Sequence, residues 1–342
     1  SLRQRIEDPE YIKSLAQKLL LDNNHRVTLV MEPNKELSAE KLQREAQRLA
    51  DIKAAMDEAQ KQATVQLATD LSERQSQVDD ESILPKVELS DVPAGLQELE
   101  FKEHNNGPLH VTTYSQGTNG LVYQQMIAAL PALDSAQQSV LPLYTSFLTE
   151  LGIGEGSYLD SQHRQSAEVG SINAFTSMRG EADNEQSITA NFVLSSKALL
   201  RNAEDQARLM ADTMQGARFD EVERIRELVS QQRARREQSV TGNGHGLAMA
   251  AACAGMSPLA KLNHQLSGLA GIRSLRERDD SLADDNNAAN FARQLGVVHE
   301  RIAAMPRQLL AIAEPDAVGS IAKQQASVWS EHSANTSDKF FL

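Results

Sequence analysis

"LPLYTSFLTELGIGEGSY", residues 141–158, decides how the rest of the chain is read. Its apolar residues recur at helical spacing. Gly152, Gly154 and Gly156 then break the pattern, and Ser157 and Tyr158 resume it. The helix carries no histidine. Either it has lost a set of ligands or it never held one.

Upstream, "ELEFKEHNNGPLHVTTYSQGTNGLVYQQMIAAL" (98–130) alternates with period two, giving three strands broken by Asn-Gly signals. Downstream, a short helix is expected near 157–168. "SINAFTSMRG" (171–180) and "SITANFVLSS" (187–196) read as a hairpin across a polar turn at 180–186, with Ile188, Ala190, Phe192 and Leu194 facing the core. Helices follow at about 201–216, 219–240, 246–256, 258–278 and 287–304. "RQLLAIA" (307–313) is a late strand, and a last helix closes the unit. This order predicts an α+β fold: one mostly antiparallel sheet with helices packed on one face.

The first 88 residues differ in character. Residues 9–21 read as a helix entered through Pro9, and 26–31 as a strand with Val27, Leu29 and Met31 on one face. These two elements cannot bury themselves, so residues 1–33 read as the tail of a preceding domain. Residues 38–78 contain neither Gly nor Pro and are rich in Ala, Gln, Glu and Lys. They predict a long helix or a helical hairpin with most sides in solvent. "VDDESILPKVELSDVP" (78–93) reads as an extended connector. The expected division is 1–33, 34–88 and 89–342.

Composition narrows the function. The chain has 342 residues, 40% of them hydrophobic and 24% charged, as an ordinary globular protein has. A net charge of -13 argues against nucleic acid as a partner. No apolar run reaches membrane-spanning length, so no membrane partner is expected. "SLRQRIEDPEYI" (1–12) has no apolar signal core and reads as a helix entered mid-chain; a cytoplasmic place is favoured. Cys253 is the single cysteine, which excludes an internal disulfide and a thiolate cluster.

Several stretches invite a site. None of the eight histidines (25, 104, 110, 163, 245, 264, 299 and 332) has a second histidine four residues on. "HERIA" (299–303) begins like H-E-x-x-H, but Ala303 takes the second ligand's place, and His299 reads as a surface residue of an amphipathic helix. "TGNGHGLAMAAACAGMSPL" (241–259) reads either as a phosphate-cradling loop or as a turn into a buried Ala-rich helix, with Cys253 an inert core thiol. The arginines of "RIRELVSQQRARREQ" (224–238) read as a solvated helix face, and "RERDDSLADDNN" (276–287) as a polar interhelical loop. No G-x-S-x-G elbow is present.

Four stretches together resemble the pitrilysin/insulinase-type zinc metallopeptidases, in their presequence-protease branch. "LLLDNNHRVTLVMEPN" (19–34) is similar to the last helix and strand of that family's second domain. The segment 38–78 with "LPKVELSDVP" (84–93) is similar to its helical hinge and connector. "TYSQGTNGLVYQQMIAALPAL" (113–133) with "LPLYTSFLTELGIGEGSYLD" (141–160) resembles the start of its third domain, and "GNGHGLAMAAACAGMSPLAKLNHQLSGLAGIRSL" (242–275) a later run of it.

The resemblance implies a clamshell of four α+β domains closing on an unfolded peptide, with zinc held by H-x-x-E-H in the first. This chain would supply the end of domain two, a helical hairpin hinge and the non-catalytic domain three. Its partners would be the catalytic domain of the same chain and an unstructured peptide substrate, with zinc in that catalytic domain and no cofactor here. Aligned by the glycine turn, Leu143, Ser146 and Phe147 stand at the zinc-ligand and base positions, so no catalytic or metal residue is expected. A stand-alone pseudo-peptidase scaffold is the alternative. An unrelated hydrolase using Cys253 or His245 is a third possibility.

Overall fold

Segments with a period of two build one sheet, and the helices that follow them cover it. The computed structural model describes residues 2–93, 95, 99–106 and 109–331. The chain divides into two units, residues 1–94 and 95–342.

In the first unit, α1 (Leu2–Arg5) precedes α2 (Pro9–Ala16). Asp8 caps α2 by accepting from the Glu10 N–H, and Pro9 sits in its first turn. A π turn, Gln17–Leu21, continues it. The strand expected at 26–31 does not form: residues 23–34 carry no regular structure, and Val27, Leu29 and Met31 are exposed. A strand needs a partner to take its N–H and C=O groups, and none of the described residues supplies one.

The segment 38–78 folds as two helices, α3 (Leu37–Ala55) and α4 (Glu58–Ser76). They are separated by Met56 and Asp57, and Asp57 opens α4 with a reciprocal capping box to Gln60. Neither helix buries a residue. The connector that follows is extended, with two short 3₁₀ turns at Glu81–Ile83 and Leu89–Asp91.

In the second unit the strands are β1 (Phe101–Asn106), β2 (Leu109–Ser115), β3 (Leu121–Ala129), β4 (Ser171–Gly180), β5 (Ile188–Leu199) and β6 (Arg307–Ala313). They form one sheet in the order β1-β2-β6-β3-β5-β4. Every pairing is antiparallel except β2 with β6. The turn between β1 and β2 read from Asn-Gly falls on residues 107–108, outside the described residues. Asn119 and Gly120 do turn the chain with positive φ, 53° and 77°. They make no hairpin, because β6 arrives from the far end of the chain and takes the place between β2 and β3.

The helices are α5 (Ser135–Phe147), α6 (Tyr158–Glu168), α7 (Ala203–Gly216), α8 (Val222–Gly242) and α9 (Gly244–Cys253). They continue as α10 (Pro258–Ser267), α11 (Leu269–Ser281), α12 (Asp285–Ala303) and α13 (Val318–Ser330). The segment expected as one helix over 258–278 breaks at Gly268, where an added Cβ would stand 2.8 Å from the His264 carbonyl oxygen. The apolar clusters take their strand residues from one face, where Val111, Leu309, Met126, Leu194 and Ala174 lie in one row across the sheet; Ile127, Val193 and Leu310 are buried on the other. α7 and α13 pack on this face and on each other, and α5 packs beside β4.

Candidate functional site

The helix and glycine turn at 135–158 are the natural place to look. α5 begins earlier than its apolar pattern suggests, at Ser135, because Asp134 and Gln137 form a capping box. Pro142 therefore lies inside the helix. Leu143 and Phe147 turn into the core, 9% and 1% exposed. The exposed Ser146 donates its hydroxyl to the Pro142 carbonyl at 2.8 Å. None of the three offers a donor set for a metal. Among the described residues no group of three His, Cys, Asp or Glu side chains could hold one.

The glycine turn is a structural joint. Gly154 has φ +60° and its N–H donates to the Gly216 carbonyl at 2.8 Å. The Arg218 N–H donates to the Gly152 carbonyl at 2.9 Å. A Cβ on Gly152 would stand 2.4 Å from the Gly156 carbonyl oxygen, so close an approach that only glycine fits. The Glu221 carboxylate accepts from the Gly152 N–H at 2.6 Å and from the Tyr158 N–H at 2.9 Å. Arg224 bonds Glu150 and covers the Tyr158 ring at 4.4 Å. The segment from Gly216 to Arg224 thus latches the turn and the start of α6 together.

His299 is a correction to the sequence reading. It is 8% exposed, not a surface residue. Its Nδ1 lies 3.0 Å from the Tyr144 hydroxyl, and its ring packs against those of Tyr144 and Phe219, which also stack on each other. Burial pushes its pKa down to about 4, against the opposing pull of a hydrogen bond to the Met214 backbone. The same burial pushes the Tyr144 phenol up. A neutral ring that donates to the Met214 carbonyl accepts the Tyr144 hydroxyl at Nδ1, and so ties α12 to α5 and α7.

Three other expectations change. The Ala-rich α9 is mostly exposed, with only Leu247 buried, and Cys253 is half-buried rather than a core thiol. Gly246 sits inside that helix, against the Asn243 side chain, and the run forms no separate loop. The arginines of α8 are only in part a solvated face: Arg235 is exposed, but Arg226 pairs with Asp285, and Arg233 with Asp279 and Asp280. The basic run and the Asp-rich stretch, read separately, are each other's partners. His332 lies outside the described residues.

The opposite face of the sheet carries what the sequence reading passed over. Phe101, Tyr114, Ile312, Tyr123 and Lys197 lie in one row across five strands. Phe101 packs on Tyr114 with ring centroids 6.0 Å apart. Tyr123 and Phe175 remain 38% and 42% exposed. Gln125, Ser195 and Asn173 form a polar row beside them. No strand residue of this row belongs to either apolar core cluster. The signal was present, since Tyr114 and Tyr123 fall at the parity opposite the core residues.

The family profile for the associated region of peptidase family M-sixteen, subfamily C, matches residues 31–277. The chain is 25% identical over 270 residues to "Presequence protease, mitochondrial" of Danio rerio, covering 79% of this chain and 26% of the relative. It is 27% identical to the protein of the same name from Yarrowia lipolytica, covering 79% and 27%. It is 25% identical over 277 residues to "Presequence protease 1, chloroplastic/mitochondrial" of Arabidopsis thaliana, covering 79% and 25%. The chain belongs to this peptidase-associated family, within the pitrilysin/insulinase-type presequence proteases. It spans about a quarter of the length of these relatives and corresponds to a non-catalytic region of that peptidase family. Among the described residues no helix is long and apolar enough to cross a membrane.

Proposed function

We propose that the chain is a non-catalytic domain plus hinge of a zinc-dependent metallopeptidase that degrades unstructured peptides. Its sheet forms a wall of the peptide chamber. The observation that carries this is the sheet face turned away from the apolar clusters, where Tyr123 and Phe175 stay exposed beside Gln125, Ser195 and Asn173 while Ile127, Val193 and Leu310 are buried. An unfolded peptide offers apolar side chains and unpaired backbone groups together, and such a face meets both without selecting a sequence.

Residues 1–33 are proposed as the end of the preceding domain, and the unpaired apolar residues at 27–31 support this, since they need a sheet to join. Residues 34–88 are proposed as the hinge and connector: α3 and α4 bury nothing, as expected of a helical hairpin that carries a closing motion. Residues 89–342 are proposed as the wall domain. Its partners are the catalytic domain of the same protein and the peptide; nucleic acid and membrane are not among them. The cytoplasm is the proposed compartment.

Zinc belongs to the catalytic domain. The residues here do not fit it: Leu143 and Phe147 lack donors and are buried, and the Ser146 hydroxyl is engaged by its own helix. No hydrolytic step is assigned to this chain. The wall is tested by placing a photoreactive residue at Tyr123, at Phe175 or, as a control on the helical side, at Arg208. Crosslinks to an unstructured peptide from the first two positions and not the third are expected. Equal labelling from all three would count against the wall.

A further inference from the structure

A cleft of about 60 Å³ opens between α5, α8, α10 and α11. Its floor is apolar and includes Leu143 and Leu275. Two arginines are among its lining residues, Arg236 from α8 and Arg278 from α11, with Gln232 from α8 and the exposed Gln265 and Ser274. The volume holds roughly four waters, the size of one carboxylate or phosphate group.

Among the described residues, what sets this cleft apart is that its two arginines are half-buried without a carboxylate; the other unpaired arginines of these two helices, Arg235 and Arg273, are exposed. On the same two helices Arg224, Arg226, Arg233 and Arg276 all bond carboxylates: Glu150, Asp285, Asp279 and Glu237. Among the described residues neither Arg236 nor Arg278 has a carboxylate partner or a side-chain hydrogen bond. Arg278 has only the Phe291 ring, 4.6 Å from its guanidinium carbon, and burial holds its pKa below the usual arginine range. In a chain of net charge -13, a desolvated Arg278 with a second half-buried, unpaired arginine on the same cleft carries a cost that an anion would offset.

We propose that this cleft binds one oxyanion group, a carboxylate or a phosphate, between Arg236 and Arg278. Arg presents a planar fork of N–H donors that matches either group. Gln232 adds a neutral donor. The proposal stands apart from the chamber wall, since the cleft lies among helices and not on that sheet face.

The test is calorimetric titration of the whole chain with two probes. One is inorganic phosphate. The other is a short unstructured peptide without acidic side chains, its C-terminus either free or amidated. Saturable binding at millimolar concentration is expected for phosphate, for the free-acid peptide, or for both, and which of them binds names the source. Arg236→Gln and Arg278→Gln each weaken it by about tenfold or more, as loss of a charge-assisted bond predicts. Arg278→Lys keeps the charge, folds, and still weakens binding because it lacks the fork. Absence of saturable binding for both probes, or equal affinity in the parent and all three variants, would overturn the proposal. Equal binding of the free and amidated peptides with no phosphate binding would do the same.

Discussion

His299 lies in the core but would carry charge in the unfolded chain at mild acid. Its folded pKa is about 4, below the ordinary 6.5, so between these values the unfolded state takes up a proton that the folded state refuses. Stability is therefore full above about pH 6.5 and falls as the pH drops toward 4. Two and a half pH units correspond to about 3 kcal/mol. Chemical denaturation at stepped pH checks this, and His299→Gln should flatten the slope. Gly152 is the second residue whose place is fixed by contact. Gly152→Ala drives a Cβ against the Gly156 carbonyl and should cost about 2–3 kcal/mol, read from a denaturation midpoint. The glycine run is legible in the sequence as a turn. The burial of His299 is not, because on α12 one polar residue at a core position looks like one at the edge of the apolar stripe until Tyr144 and Met214 are seen to receive it.

At the scale of elements, the strands are the most legible. Alternation places β4 at 171–180 and β6 at 307–313 as observed, and β5 nearly so, because it fixes both existence and face. Pairing order is not legible: only long-range contacts place β6 between β2 and β3. The apolar stretch from 141 marks α5 late because the Asp134 capping box stands upstream of it, in a polar segment. The alanines of α9 suggest burial, yet an Ala-rich helix is a good helix wherever it lies, since propensity says nothing of burial. The latch between α6 and α8 depends on Glu221, which takes two backbone N–H groups. Glu221→Ala leaves both without that partner and should cost about 2 kcal/mol, measured by thermal unfolding, whereas Glu221→Gln retains one acceptor and should cost less.

At the scale of the molecule, two units of different character share one chain. Residues 77–93 bury nothing and carry only short 3₁₀ turns. Limited proteolysis should cut there first and leave a stable fragment holding the sheet and its helices, identified by its mass. The resemblance across the chain is legible in the order of weak motifs rather than in any one of them, and the family profile over residues 31–277 bears it out. The sheet face turned away from the apolar clusters escapes a reading that uses alternation to find the core and leaves the opposite parity aside. We propose that this chain contributes a surface and a hinge to proteolysis but no chemistry. Incubating the purified chain with an unstructured peptide, with and without a chelator, while measuring its zinc by elemental analysis, tests that claim most directly. No cleavage and zinc well below one per chain are predicted; chelator-sensitive cleavage by pure material would contradict it.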